Sequence, residues 1–173
     1  YFDYETGIYH KNIYAERNPG VVQELGDVGN DIQIYGNKLY AIINCSHFVE
    51  VMNVETAKHI TQISIPNCRY IVFKDKYAYV SSYAGPVKID PNARLGYVAR
   101  VDTTTLTVKD TCVVGYQPEE MVIVGNKLYV ANSGGYRVPN YDRTVSVIDL
   151  NTFKVIKTID VGINLHRMEL DQY

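Results

Sequence analysis

Four histidines, His10, His47, His59 and His166, are the first candidates for proton transfer or metal binding. No H-x-x-x-H pair occurs and no carboxylate sits at ligand spacing, so they read as surface or packed side chains. Ser46 beside His47 is not a nucleophile arrangement, because adjacent residues of a strand point to opposite faces. Glu119 and Glu120 form a tempting acid pair. Sequence neighbours diverge, however, whereas glycoside hydrolysis needs two carboxylates facing across a site. No P-loop or dinucleotide glycine pattern is present, and "NSGG" reads as a loop that needs backbone freedom. "PNYDR" (139–143) offers oxygens for calcium without the dense spacing of a dedicated calcium loop. Asn140 and Asp142 bonding their own backbone account for it as well. "NCS" (44–46) fits a glycosylation sequon. Cys45, Cys68 and Cys112 are odd in number with no CxxC, which suits small buried strand or turn residues. The expectation is a non-enzyme with no cofactor and no metal site.

The elements that position these residues must come from a single domain, since the chain has 173 residues with 46% hydrophobic and 21% charged content. A net charge of −2 gives no electrostatic case for nucleic acid. The longest apolar runs, of four to six residues, are too short to span a bilayer as a helix. The sequence has no starting Met, signal peptide or lipid-attachment signal, and "YFDYETG" begins inside an element, so a fragment is expected.

"GNKLY" at 36–40 recurs at 125–129. The surrounding sequence repeats too, with a looser copy between them. Tyr40, Tyr79 and Tyr129 share a column, as do Asn53, Asp102 and Asp149, with Thr56, Thr105 and Thr152 three residues later. Asp3 and Thr6 fit the same columns, and successive spacings are 50, 49 and 47 residues. Each unit resolves into four short strands rich in β-branched and aromatic residues. A "GN" turn with positive φ joins strands one and two. The Asp side chain bonding the backbone two residues on closes the hairpin between strands three and four. Repeated four-strand units of this length predict an all-β fold of β-propeller blades, each a four-stranded antiparallel sheet. Residues 28–65, 66–114 and 117–161 are expected as blades, 1–20 as the end of one and 162–173 as the start of another. The whole, 1–173, then forms one propeller fragment.

At "LYVANSGG" and "TVSVIDLNTFKVIKTIDVG" the chain resembles the YVTN-type propeller repeats of bacterial surface proteins. "LGDVGNDIQIYGNKLYAI" and "NSGGYRVPNYDRTVSVIDLNTFKVIKTIDVGIN" resemble the secreted seven-bladed propeller lipoproteins of Bacteroidetes. This resemblance implies about half of a seven-bladed ring, a secreted or outer-membrane surface location, and a lipid anchor in the full-length protein. It also implies a non-catalytic binding role, with cobalamin (a cobamide) or a glycan as ligand. The alternative is a scaffold that docks another protein, such as an outer-membrane transporter.

In a propeller, the strand-two-to-three loops and the inter-blade connections emerge on one face, where function usually lives. Asn30 and Asp31, Arg69 and Tyr70, Glu119 and Glu120, and His166 and Arg167 occupy equivalent inter-blade positions and vary between copies. Loop 132–143 reads as the longest strand-two-to-three loop, and its Tyr, Arg, Asn and Gly content suits recognition. The expected ligand contacts are Tyr136, Arg137 and Tyr141, with Arg69, Tyr70, Glu119 and Glu120 around the funnel.

Overall fold

The computed structural model describes residues 2–21 and 24–171. Tyr1, at the start of the first expected partial unit, lies outside them, as do Gln172 and Tyr173 at the end of the last. A short helix, α1 (Ile13–Arg17), precedes twelve strands. These form three antiparallel four-stranded sheets, each in sequential order. The first holds β1 (Gly29–Tyr35), β2 (Lys38–Ile43), β3 (Phe48–Asn53) and β4 (His59–Ser64). The second holds β5 (Cys68–Lys74), β6 (Tyr77–Ser82), β7 (Tyr97–Asp102) and β8 (Thr107–Val113). The third holds β9 (Pro118–Val124), β10 (Lys127–Asn132), β11 (Thr144–Asp149) and β12 (Lys154–Asp160). Strand β5 packs against both β1 and β9, so the first strand of each sheet faces the centre of an arc of blades.

The repeat is visible as geometry. Lys38 pairs with Asn53, Tyr77 with Asp102 and Lys127 with Asp149. Asn53 Oδ1 accepts the N–H groups of Glu55 and Thr56 at 3.0 and 2.9 Å. Asp102 does the same for Thr104 and Thr105, and Asp149 for Asn151 and Thr152. Asp3 repeats the pattern with Glu5 and Thr6. Left-handed backbone also recurs at matching places in each unit. It appears at Gly36, Asp75 and Gly125 in the first turn and at Ala57, Leu106 and Phe153 in the last. Between sheets it appears at Val28, Asn67, Gln117 and Asn164.

The sheets bury their faces against one another. Tyr40, Ile42, Val49 and Val51 of the first sheet meet Ile71, Ala78, Val80 and Val101 of the second. Tyr79 and Val98 meet Met121, Leu128, Val130 and Ile148 in the same way. The Tyr column therefore packs forward onto the next blade, and the residues beside it pack backward. On the first sheet the backward face is covered in part by α1, through Tyr14 against Ala41, Ile43 and Met52. No helix among the described residues is long and apolar enough to cross a membrane.

Candidate functional site on the loop face

The inter-blade connections and the strand-two-to-three loops run side by side. Asn44 N–H donates to Val28 O at 2.8 Å, Tyr83 N–H to Asn67 O at 3.2 Å, and Ser133 N–H to Gln117 O at 3.2 Å. Two of these loops are long. The connection 83–96 has 14 residues and 133–143 has 11, so the expected ranking of the two is reversed. The earlier loop lacks the dense Tyr and Arg content of the later one.

Loop 83–96 and Gln117 of the next inter-blade connection wall a cavity of about 410 Å³, lined by Tyr83, Gly85, Lys88, Asp90, Asn92 and Arg94 among others. Loop 133–143 braces it from outside. Tyr136 O accepts Asp90 N–H at 2.9 Å, and Tyr136 N–H donates to Gln117 Oε1 at 2.6 Å. The Tyr136 ring meets the Tyr83 ring edge-on, with centroids 6.3 Å apart. Arg137 stacks over Tyr116 at 3.5 Å. Its guanidinium donates to Asn140 O at 2.7 Å and Pro91 O at 3.2 Å. Asp142 is held in turn, accepting Tyr116 N–H on Oδ2 at 2.8 Å and Arg143 and Thr144 N–H on Oδ1. Its oxygens therefore fasten the loop to the adjoining connection.

Beneath the cavity lies a buried polar cluster. Glu119 is fully buried and accepts Arg69 Nε–H at 3.0 Å, the Tyr83 hydroxyl, and Ser133 Oγ–H at 3.4 Å. His166 Nδ1 lies 3.5 Å from it. The Arg69 guanidinium sits 4.8 Å over the Tyr83 ring. Burial first, and then the Glu119 charge, push the Tyr83 phenol far above its ordinary value. Tyr83 is consequently a donor to Glu119 and no acid or base near neutrality. Glu120 diverges, as its position beside Glu119 requires. It accepts Met168 N–H at 3.1 Å and faces Arg167.

The seven expected contact residues thus fall into three places. Tyr136 and Arg137 build the cavity's outer brace, and Tyr141 is exposed on the same loop. Arg69 and Glu119 are paired between blades. Tyr70 and Glu120 line a second groove of about 440 Å³, near the first strands, with Asn30, Asp31 and Arg167. The lining that sequence reasoning missed is that of 83–96, with Tyr83 and Gln117. Loop length was the available signal, and Gln117 in the connection before β9 was a second.

Other chemistry-bearing residues have structural partners. His59 Nδ1 is 2.6 Å from Glu50, which also accepts the Tyr14 hydroxyl at 3.2 Å. Asn44 is buried, donating to Asn67 Oδ1 and Cys68 O, so the "NCS" sequon has no accessible acceptor. Cys68 and Cys112 are buried as expected, but Cys45 is exposed on a turn, and all three thiols are free. Burial pushes the Cys68 thiol up to about 12. Among the described residues no group of three His, Cys, Asp or Glu side chains is placed to hold a metal ion.

A family model described as a domain of unknown function, DUF5074, matches residues 1–169. The chain belongs to that family. No curated protein matches it. Among solved structures it resembles Kuenenia stuttgartiensis hydrazine synthase at 20% identity, with a TM-score of 0.62 over 73% of this chain and 35% of that one. Apo AztD from Citrobacter koseri matches at 16% identity and a TM-score of 0.55, over 80% and 34% of the respective chains. The WD40 β-propeller domain of Doa1 matches at 15% identity and a TM-score of 0.58, over 77% and 40%. The DUF5074 chain therefore spans between a third and two fifths of these neighbours, and at such identities they speak for the propeller fold alone.

Proposed function

We propose that this DUF5074 chain belongs to a non-catalytic binding protein of the bacterial cell surface that captures a small polar molecule on its loop face. The cavity between 83–96 and Gln117 carries this reading. Its volume falls in the range of small-molecule sites, and it combines an aromatic wall with a few convergent polar groups. It admits one or two sugar rings, or the edge of a larger ring such as a corrin, which supports a glycan over a whole cobamide. The loop walls are cross-braced before any ligand arrives, so little ordering entropy is lost on binding.

Calorimetry on the intact protein with cobalamin and a panel of glycans tests this. Ala93→Trp, which fills the cavity, is expected to weaken the captured ligand by more than about tenfold. Lys38→Ala, at the start of β2 and the other end of the strands, should leave it unchanged. Binding insensitive to Ala93→Trp would move the site elsewhere. If no panel member binds, a scaffold docking another protein takes the place of capture.

A further inference from the structure

We propose that the loop-face cavity selects an oxyanion, the carboxylate or phosphate of an acidic sugar, held by Lys88, Arg94 and the Gln117 amide. This rests on the capture reading and adds the ligand's charge to it. Three observations point the same way. Five of the chain's seven arginines have a partner: Arg69 with Glu119, Arg100 with Asp110, Arg143 with Asp160, Arg167 with Glu120, and Arg137 with Tyr116 and two carbonyls. Among the described residues neither Arg94 nor Lys88 has a side-chain partner, yet both line one cavity.

Gln117 supplies the second observation. It is 2% exposed, in left-handed backbone at φ +49°, and its side chain still reaches the cavity wall. Its oxygen is taken by Tyr136 N–H, while its NH₂ group has no hydrogen-bond partner among the described residues. A buried amide donor left open beside two partnerless cations is a donor set for an anion, since none of the three can accept.

The opposing charges are accounted for. Asp90 is the one acid in the lining, and its Oδ1 accepts Asn92 N–H at 2.9 Å. Glu119 lies behind Tyr83, fully buried and matched by Arg69. With two cations against the one carboxylate of Asp90 the lining carries net positive charge, and Arg94 has no ion-pair partner among the described residues. The tether from Pro91 O to Arg137 and from Asp90 N–H to Tyr136 O fixes the segment that carries both cations. Arg94 adds a forked pair of donors and Lys88 a point charge, a combination suited to carboxylate and phosphate oxygens.

The test titrates the intact protein with glucuronate, glucose 6-phosphate, inorganic phosphate and glucose, followed by calorimetry and amide NMR shifts. Glucuronate or glucose 6-phosphate should bind at least about tenfold more tightly than glucose, with affinity falling as salt is raised. Lys88→Ala and Arg94→Ala should each weaken the acidic probe by about fivefold or more. Gln117→Glu keeps the oxygen that accepts Tyr136 N–H and replaces the NH₂ by an anionic oxygen, so it should abolish that binding. Circular dichroism and the unchanged shifts of β9 and β10 establish that this variant is folded. Preference between the two acidic sugars identifies the source of the oxyanion, and inorganic phosphate alone shows whether the sugar is needed. Glucose binding as tightly as the acids, or a Lys88→Ala/Arg94→Ala protein that binds them unchanged, overturns the proposal. In that case glucose binding blocked by Ala93→Trp would leave capture standing. No binding of any probe overturns the anion proposal, and with a silent glycan and cobalamin panel it removes capture too.

Discussion

Glu119 holds the inter-blade wall together as a single residue. A carboxylate with no solvent contact survives only when its charge is matched and its lone pairs are occupied, and Arg69, Tyr83 and Ser133 do both. Arg69→Leu removes the matching charge and leaves Glu119 buried. It is expected to lower stability by about 3 kcal/mol, read as a fall in the urea midpoint. The turn carboxylates make a different prediction. Asp102 and Asp149 are held below the ordinary carboxylate range, chiefly by the Thr105 and Thr152 N–H groups respectively. A depressed folded value means that the stabilisation is complete above the unfolded value of about 3.9 and is lost as pH falls through the folded one. Asn53 shows that Asn makes the same turn bonds. The double variant Asp102→Asn/Asp149→Asn should therefore stay folded at neutral pH and lose less stability than the parent between about pH 5 and about pH 2. An equal acid loss in both proteins would exclude these turns as its source.

Each strand hairpin depends on one left-handed residue, and the sequence supplies glycine at some of these positions. At Gly125, with φ +55°, a Cβ would meet nothing within 4 Å, so the cost of Gly125→Ala is conformational and about 1 kcal/mol. Gly96 differs: a Cβ there would press on Pro118 and come within 2.6 Å of Ser82 O, joining two blades too closely for any side chain. Gly96→Ala should prevent stable folding, while Gly125→Ala shifts only the denaturant midpoint. Helix α1 is too short to be stable alone and is held by its contacts. Asn18, almost fully buried, donates to Tyr14 O and Ala57 O and accepts His59 N–H at 2.7 Å. Asn18→Ala leaves those groups unsatisfied. It should cost about 2 kcal/mol, and faster hydrogen exchange at His59 N–H would show that the helix has come loose.

The arc of blades leaves the backward face of the first sheet without its repeat partner. Ile32 and Ile34 of β1 occupy the positions of Ile71 and Phe73 in the second sheet and of Met121 and Ile123 in the third. Those residues pack against the sheet before them, whereas Ile32 and Ile34 are each 61% exposed. A cavity of about 340 Å³ lies beside them, lined by Leu25, Ala41 and Ile43. Burying such a side chain is worth about 2 kcal/mol, enough to draw apolar surfaces together. The 173-residue chain alone is expected to associate at raised concentration, and Ile32→Lys/Ile34→Lys to reduce that association. Light scattering that shows a concentration-independent monomer would count against this.

Much of the fold was legible because a propeller repeats short-range physics. Turn residues that need positive φ, an Asp that closes a hairpin through its own backbone, and strands of alternating residues are all local. They recur at fixed spacing, so the four-strand unit and the register of Tyr40 with Tyr79 and Tyr129 followed from the chain itself. The candidate site was less legible, because its walls are set by which loops a blade-to-blade packing brings together. Arg137 has the composition of a ligand contact, yet the fold gives its guanidinium to Asn140 O and Pro91 O. Glu119 reads as one of a tempting acid pair with Glu120 and as a funnel contact, and only the packing of β5 on β9 brings Arg69 to it. Lys88 and Arg94 share one loop, Gln117 lies 23 residues beyond Arg94, and none of the three stands out in the sequence. The inter-blade connection and the loop 83–96 meet through tertiary contacts alone, and that meeting turns three ordinary donors into one cavity.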